Sequence, residues 1–169
     1  MSFASVAYPE DKAARYEMMS AQIRALTDGI VHPIANLANT AALLWQGMPD
    51  INWCGFYLMD HGALMLGPFC GLPACIRIPL GRGVCGTAAQ KDELQLVYDV
   101  HQFPGHIACD SASNSEIVIP IHHAGCVIGV LDIDSPLIGR SDETDREKLA
   151  QITKHLESCC DWTQAGYTL

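Results

Sequence analysis

In GHIACDSASNSEIVIPI (residues 105–121) a thiol and a carboxylate stand on either side of a polar loop. Cys109 sits among small and polar residues, and Glu116 opens an alternating apolar run. A structural cysteine belongs inside such a run. Cys109 lies outside it. In CVIGVLDID (126–134), residues two apart share a strand face, so Asp132 and Asp134 are expected to point with Ile128 and Val130. A hairpin at His123-Ala124-Gly125 would bring the strand of Glu116 alongside both aspartates. Three acids in one cavity raise at least one pKa through repulsion and burial. Such a cluster suits a cationic group such as an ammonium, or supplies a general acid. On spacing alone, acids that simply meet solvent at a strand end fit equally well.

The other cysteines divide by context. Cys54 and Cys126 fall in apolar strand patterns and are expected in the core, while Cys159 and Cys160 end the last helix as packing residues. Cys70, Cys75, Cys85 and Cys109 each lie in or beside a glycine-rich or polar loop. They form no CxxC pair, so a structural zinc site is not expected, nor any other metal or cofactor. Exchange between loop thiols fits better. Cys85 lies where GRGVCGTAAQ turns from loop to helix, with Arg82 nearby, and a helix N-terminus lowers a thiol's pKa. Cys109 has His106 before it and Asp110 beside it, which pull in opposite directions. Spacing therefore favours Cys85 as the thiolate. The GRG segment lacks the further residues of a phosphate loop. Trp53 and Tyr57 lie four apart on one strand, hence on one face, as core packing or as an aromatic wall for a small apolar group.

The elements that must position these residues follow from periodicity. Tyr16, Met19, Ile23 and Leu26 mark one helix; Ile34, Leu37, Ala38, Ala41, Leu44 and Trp45 mark a second. Strands are expected at NWCGFYLM, ALMLGPF, CIRIPL, QLVYDV, EIVIPIHH and CVIGVLDID, with a helix starting near Val84. Ser141 is placed to cap a last helix with Leu149, Ile152 and Leu156 on one stripe. Tight turns between consecutive strands imply an α+β fold with a largely antiparallel sheet of about six strands. The terminal helices (about 10–46 and 142–160) would pack on one face of a core spanning about 52–136. At 169 residues the chain is expected to form a single domain over 1–169.

A formal charge of −9 argues against a nucleic-acid partner. No apolar stretch spans a bilayer, and MSFASVAYPEDK lacks the features of a secretory signal, so a cytoplasmic location without membrane contact is expected. Eight cysteines there point to buried or redox-active thiols.

NWCGFYL, LGPFCG, ACIRIPLGRGVCGTAAQ, DVHQFPGHIACDSASNSEIVIPI and VIGVLDIDSP together resemble the free methionine-(R)-sulfoxide reductases, a one-domain branch of the GAF fold. The likeness runs from about Asn52 to Pro136. It implies a reductase acting on the free amino acid. Cys109 would be the nucleophile that attacks the sulfoxide sulfur and becomes a sulfenic acid. Cys75 would resolve it as a disulfide, with Cys85 as a third exchanging thiol and thioredoxin as reductant. Glu116, Asp132 and Asp134 would surround the substrate, Trp53 would meet its methyl group, and Tyr57 would also belong to the substrate site. Between Cys109 and Cys85 as the attacking thiol, the resemblance favours the first and helix position the second. Which acid protonates the sulfoxide is left open. Cys70 departs from the family pattern and could join the exchange or form an off-pathway disulfide. The rival reading is a GAF module that senses a small molecule or redox state without turnover. A homodimer paired through helices is also compatible.

Overall fold

The computed structural model describes residues 6–105 and 112–165. Helices α1 (Lys12–Thr27) and α2 (Pro33–Gly47) are followed by strands β1 (Trp53–Asp60), β2 (Ala63–Gly71) and β3 (Arg77–Pro79). Next come helix α3 (Gly83–Lys91), strands β4 (Gln95–Val97), β5 (Ser115–His123) and β6 (Cys126–Ser135), and helix α4 (Glu143–Cys159). The strands form one sheet in the order β3-β2-β1-β6-β5-β4, with antiparallel neighbours throughout. The expected α+β architecture is therefore present. No helix among the described residues is long and apolar enough to cross a membrane.

Strand alternation sorts the side chains into two layers. Cys54, Phe56 and Leu58 of β1 join Ile117, Ile119 and Ile121 of β5 and Leu131 and Ile133 of β6, under α1, α2 and α4. On the opposite face Trp53 and Tyr57 of β1 join Val118 and Val130 beneath α3, whose Val84, Cys85 and Ala88 pack downward. Two layers of helix on one sheet bury both faces of its central strands, which explains why β1 and β5 read as continuous apolar runs.

Four local expectations are corrected. Ile128 lies in the helix-side core, on the face opposite Val130 and Asp132. The ladder pairs Ile121 with Gly129 but His122 with Val127, so Ile128 is an extra residue that reverses alternation at that point. Cys126 opens β6 beside the hairpin turn and is exposed instead of buried. Cys70 lies in β2, opposite Cys54, and not in a loop. The last helix is capped by Asp142, not Ser141: Asp142 accepts from the Thr144 and Asp145 amides, and Asp145 accepts back from the Asp142 amide.

The buried stripe of α2 also runs through Pro33, Asn36, Leu37, Thr40, Ala41, Leu44 and Gly47, leaving Ala38 and Trp45 outside. Gly47 sets this rotation, because a Cβ there would lie 2.3 Å from Met19 Sδ on α1.

Candidate active site

The sheet register places the acids. In the row across β1, β6 and β5, Asp134 stands between Trp53 and Glu116. In the next row, Asp132 stands between Gly55 and Val118. These positions share the face beneath α3. Gly55 leaves the space that its row needs: a Cβ there would lie 2.3 Å from Phe69 Cβ and 2.8 Å from the Trp53 ring. The Trp53 ring stacks with Phe69 (centroids 5.3 Å apart) and with Tyr57 (5.7 Å apart), and its indole N–H donates to the Leu72 carbonyl at 3.2 Å. The aromatic wall is thus held by two ring contacts and at its polar edge.

Helix α3 closes the cavity from above. Gly81 and Gly83 have positive φ values, 76° and 61°, which lets the GRG loop turn tightly into the helix. Gly86 rests directly on β3, where a Cβ would meet the Pro79 carbonyl at 2.4 Å. The turn at Gly81 and Gly83 and this contact at Gly86 account for the glycines of GRGVCG. The Gly86 contact points the Cys85 thiol at Glu116, to whose Oε1 it donates over 3.8 Å.

Trp53, Tyr57, Cys85, Glu116, Asp132 and Asp134 line one cavity of ≈ 540 Å³, counting its open mouth. All six are candidate site residues in the sequence. Pro73 and Ala74 complete the rim just before Cys75, which packs partly buried against the same layer and is disulfide-bonded. Cys54, Cys70, Cys85, Cys126, Cys159 and Cys160 are free. Cys109, with His106 and Asp110, lies outside the described residues.

Two lining residues escaped a site assignment from sequence. In the sequence Arg82 stands out only as a neighbour of the Cys85 thiol. Ser113 is buried and receives a hydrogen bond from the Asn52 side chain at 3.0 Å. A serine in a serine-rich loop carries no signal of its own. Only the pairing of β1 with β6, which sets Asn52 beside the strand end, brings it to the cavity.

The cavity is electrostatically expensive. Burial, then the charges of Asp132 and Asp134, hold the Glu116 carboxyl well above the usual carboxylate range. Burial lifts Asp132 to about 6, against hydrogen bonds from Cys85 and Glu116 that favour its ionised form. Glu116 therefore keeps its proton and donates it toward Asp132. The Cys85 thiol is pushed well up, first by burial and then by Asp132 and Glu116. This overturns the expectation of a Cys85 thiolate. One helix terminus supplies about half a positive charge, too little against two neighbouring carboxyl groups in a site where Cys85 is only 4% exposed. The resulting arrangement offers a protonated carboxyl, a carboxylate and a thiol beside an aromatic wall.

The GAF domain family matches residues 23–159. The chain is 50% identical over 147 residues to the free methionine-R-sulfoxide reductase of Escherichia coli (strain K12), covering 87% of this chain and 89% of that one. It is 42% identical over 152 residues to the protein of the same name in Saccharomyces cerevisiae, covering 85% and 84%. Among solved structures it resembles the free methionine-R-sulfoxide reductase from Neisseria meningitidis in complex with its substrate, with a TM-score of 0.88 and 46% identity over 92% of this chain and 94% of that one.

Proposed function

Because this chain belongs to the GAF domain family and, within it, to the free methionine-R-sulfoxide reductases, we propose that it reduces free L-methionine-(R)-sulfoxide through Cys109, acting as a single unit over residues 1–169. The observation that carries this reading is the convergence of Trp53, Cys85, Glu116, Asp132 and Asp134 on one cavity beside the disulfide-bonded Cys75. Its dimensions and polarity fit one amino acid: carboxylates for the ammonium, Trp53 for the sulfur-bound methyl, and Arg82 at the α3 N-terminus for the carboxylate.

A sulfoxide oxygen leaves poorly until it is protonated. Glu116 holds a proton inside the cavity and is the general acid, while Asp132 and Asp134 hold the ammonium. The Cys109 sulfur attacks the sulfoxide sulfur. The oxygen, protonated by Glu116, passes as hydroxyl from the substrate sulfur to the Cys109 sulfur as the new S–S bond breaks. Methionine departs as the thioether, Cys109 is left as a sulfenic acid, and the thiol's proton returns to Glu116. The Cys75 thiol then displaces that oxygen as water and forms the Cys75–Cys109 disulfide. A dithiol protein such as thioredoxin returns both thiols and is itself oxidised. The disulfide at Cys75, with the six other described cysteines free, supports this pairing. Cys85, buried and protonated, fits a role as hydrogen-bond donor and third exchanging thiol better than that of first nucleophile.

The test is NADPH consumption in an assay coupled through thioredoxin and its reductase. Turnover of the free R epimer alone, absent with the S epimer, with a peptide-bound sulfoxide and in Cys109→Ser, is the expected result. A folded, reduced protein that turns over no sulfoxide would instead be a sensor.

A further inference from the structure

Cys85 of α3, Glu116 of β5 and Asp132 of β6 offer ligand atoms that all lie within 4.8 Å of one another, and all three residues are buried. We infer that these three side chains form a binding site for one thiophilic divalent cation, Zn²⁺, held at the floor of the cavity. Three features carry this. First, Asp132 is 6% exposed and lines the cavity, yet its Oδ1 has no hydrogen-bond partner among the described residues. A buried carboxylate oxygen left in that state is one ligand short. Second, the spacing fits. Zinc binds sulfur at about 2.3 Å and carboxylate oxygen at about 2.1 Å, so a tetrahedral centre sets sulfur and oxygen about 3.6 Å apart. Cys85 Sγ stands 3.8 Å from Glu116 Oε1. Third, one sulfur and two oxygens with an open fourth position suit zinc. A thiolate disfavours magnesium and calcium, and two carboxylates disfavour monovalent copper.

Binding exchanges protons for metal. The Cys85 thiol and the Glu116 carboxyl each release one proton, and the three anionic ligands leave the loaded site with one net negative charge. Affinity consequently rises with pH. The ion occupies the space proposed for the substrate ammonium and ties up the acid. Zinc and substrate thus exclude one another, and this competition alone rests on the reductase reading.

The test uses the chain with its Cys75 disulfide intact, titrated without reductant. Cobalt should give a near-ultraviolet thiolate-to-metal band at one ion per chain, displaced by zinc. Cys85→Ser should abolish the band, whereas a Cys159→Ser/Cys160→Ser double variant should keep it. Glu116→Gln should weaken zinc binding in calorimetry by at least about tenfold, which provides a reading even where Cys85→Ser does not fold. No thiolate band, a band that survives Cys85→Ser, or one lost with Cys159 and Cys160 would overturn the site. Free methionine sulfoxide should weaken zinc binding in proportion to its concentration. Sulfoxide turnover without the cobalt band contradicts the metal site alone; the band without turnover contradicts the reductase alone.

Discussion

Glu116 keeps its proton because burial and two neighbouring aspartates make its charge costly. Replacing it with glutamine retains shape and removes the proton, so Glu116→Gln should lower kcat by ~10²–10⁴ with a smaller effect on KM. A wild-type pH–rate profile checks the sign: kcat should fall as pH rises through the pKa of Glu116, and this limb should vanish in the variant. Asp132 carries a stability consequence. Its carboxyl titrates at about 6 in the folded chain against an ordinary 3.8. Between those values the native state holds more protons than the unfolded chain, so stability falls as pH rises across that window. Asp132→Asn cannot ionise. It should be more stable than wild type above pH 6, by ~1–3 kcal/mol, and the advantage should disappear below pH 4 in urea titrations. An unchanged difference across this range would mean the carboxyl is not desolvated as described.

At the scale of elements, the site depends on how closely α3 lies on β3. Gly86→Ala would drive a Cβ against the Pro79 carbonyl. Backbone yields poorly to such a contact, so the variant should lose ~1–3 kcal/mol and raise KM by displacing Cys85 and Arg82, as thermal melts and steady-state kinetics would record. This approach was only partly legible in the sequence. The strands, the hairpin at His123-Ala124-Gly125 and the alternation that sets Glu116, Asp132, Trp53 and Tyr57 on one face all follow from period-two patterning. The extra residue at Ile128 does not, because a bulge leaves the apolar pattern intact and changes only which face each residue meets. The state of Cys85 was misread for a related reason. A helix start is visible locally, whereas its two carboxyl neighbours arrive from β5 and β6, thirty or more residues away. Cys126 was misplaced because a strand's first residue shares its pattern but not its burial.

For the molecule as a whole, Asp145 ties the helical layer together. Fully buried, it accepts from Tyr16 Oη at 2.7 Å, Arg140 Nη1 at 2.8 Å, Lys12 Nζ at 2.7 Å and the Asp142 amide at 2.9 Å. Asp145→Ala strands a buried guanidinium and hydroxyl and should cost ~3–5 kcal/mol, read as a lower urea midpoint. This hub packs on the side of the sheet away from the cavity, so whatever folded protein remains should retain its KM. The layers thus divide the work: one supplies stability, the other accommodates buried acids that oppose it. The claim joining them is that a thiol at Cys109 takes the sulfoxide oxygen and hands it to Cys75. Single turnover of pre-reduced protein with free L-methionine-(R)-sulfoxide, followed by peptide mapping under non-reducing conditions, tests it directly. The account predicts one methionine released per chain, two thiols lost, and a Cys75–Cys109 disulfide with Cys85 still free. Methionine released with a disulfide that excludes Cys109, or no methionine at all, would contradict it.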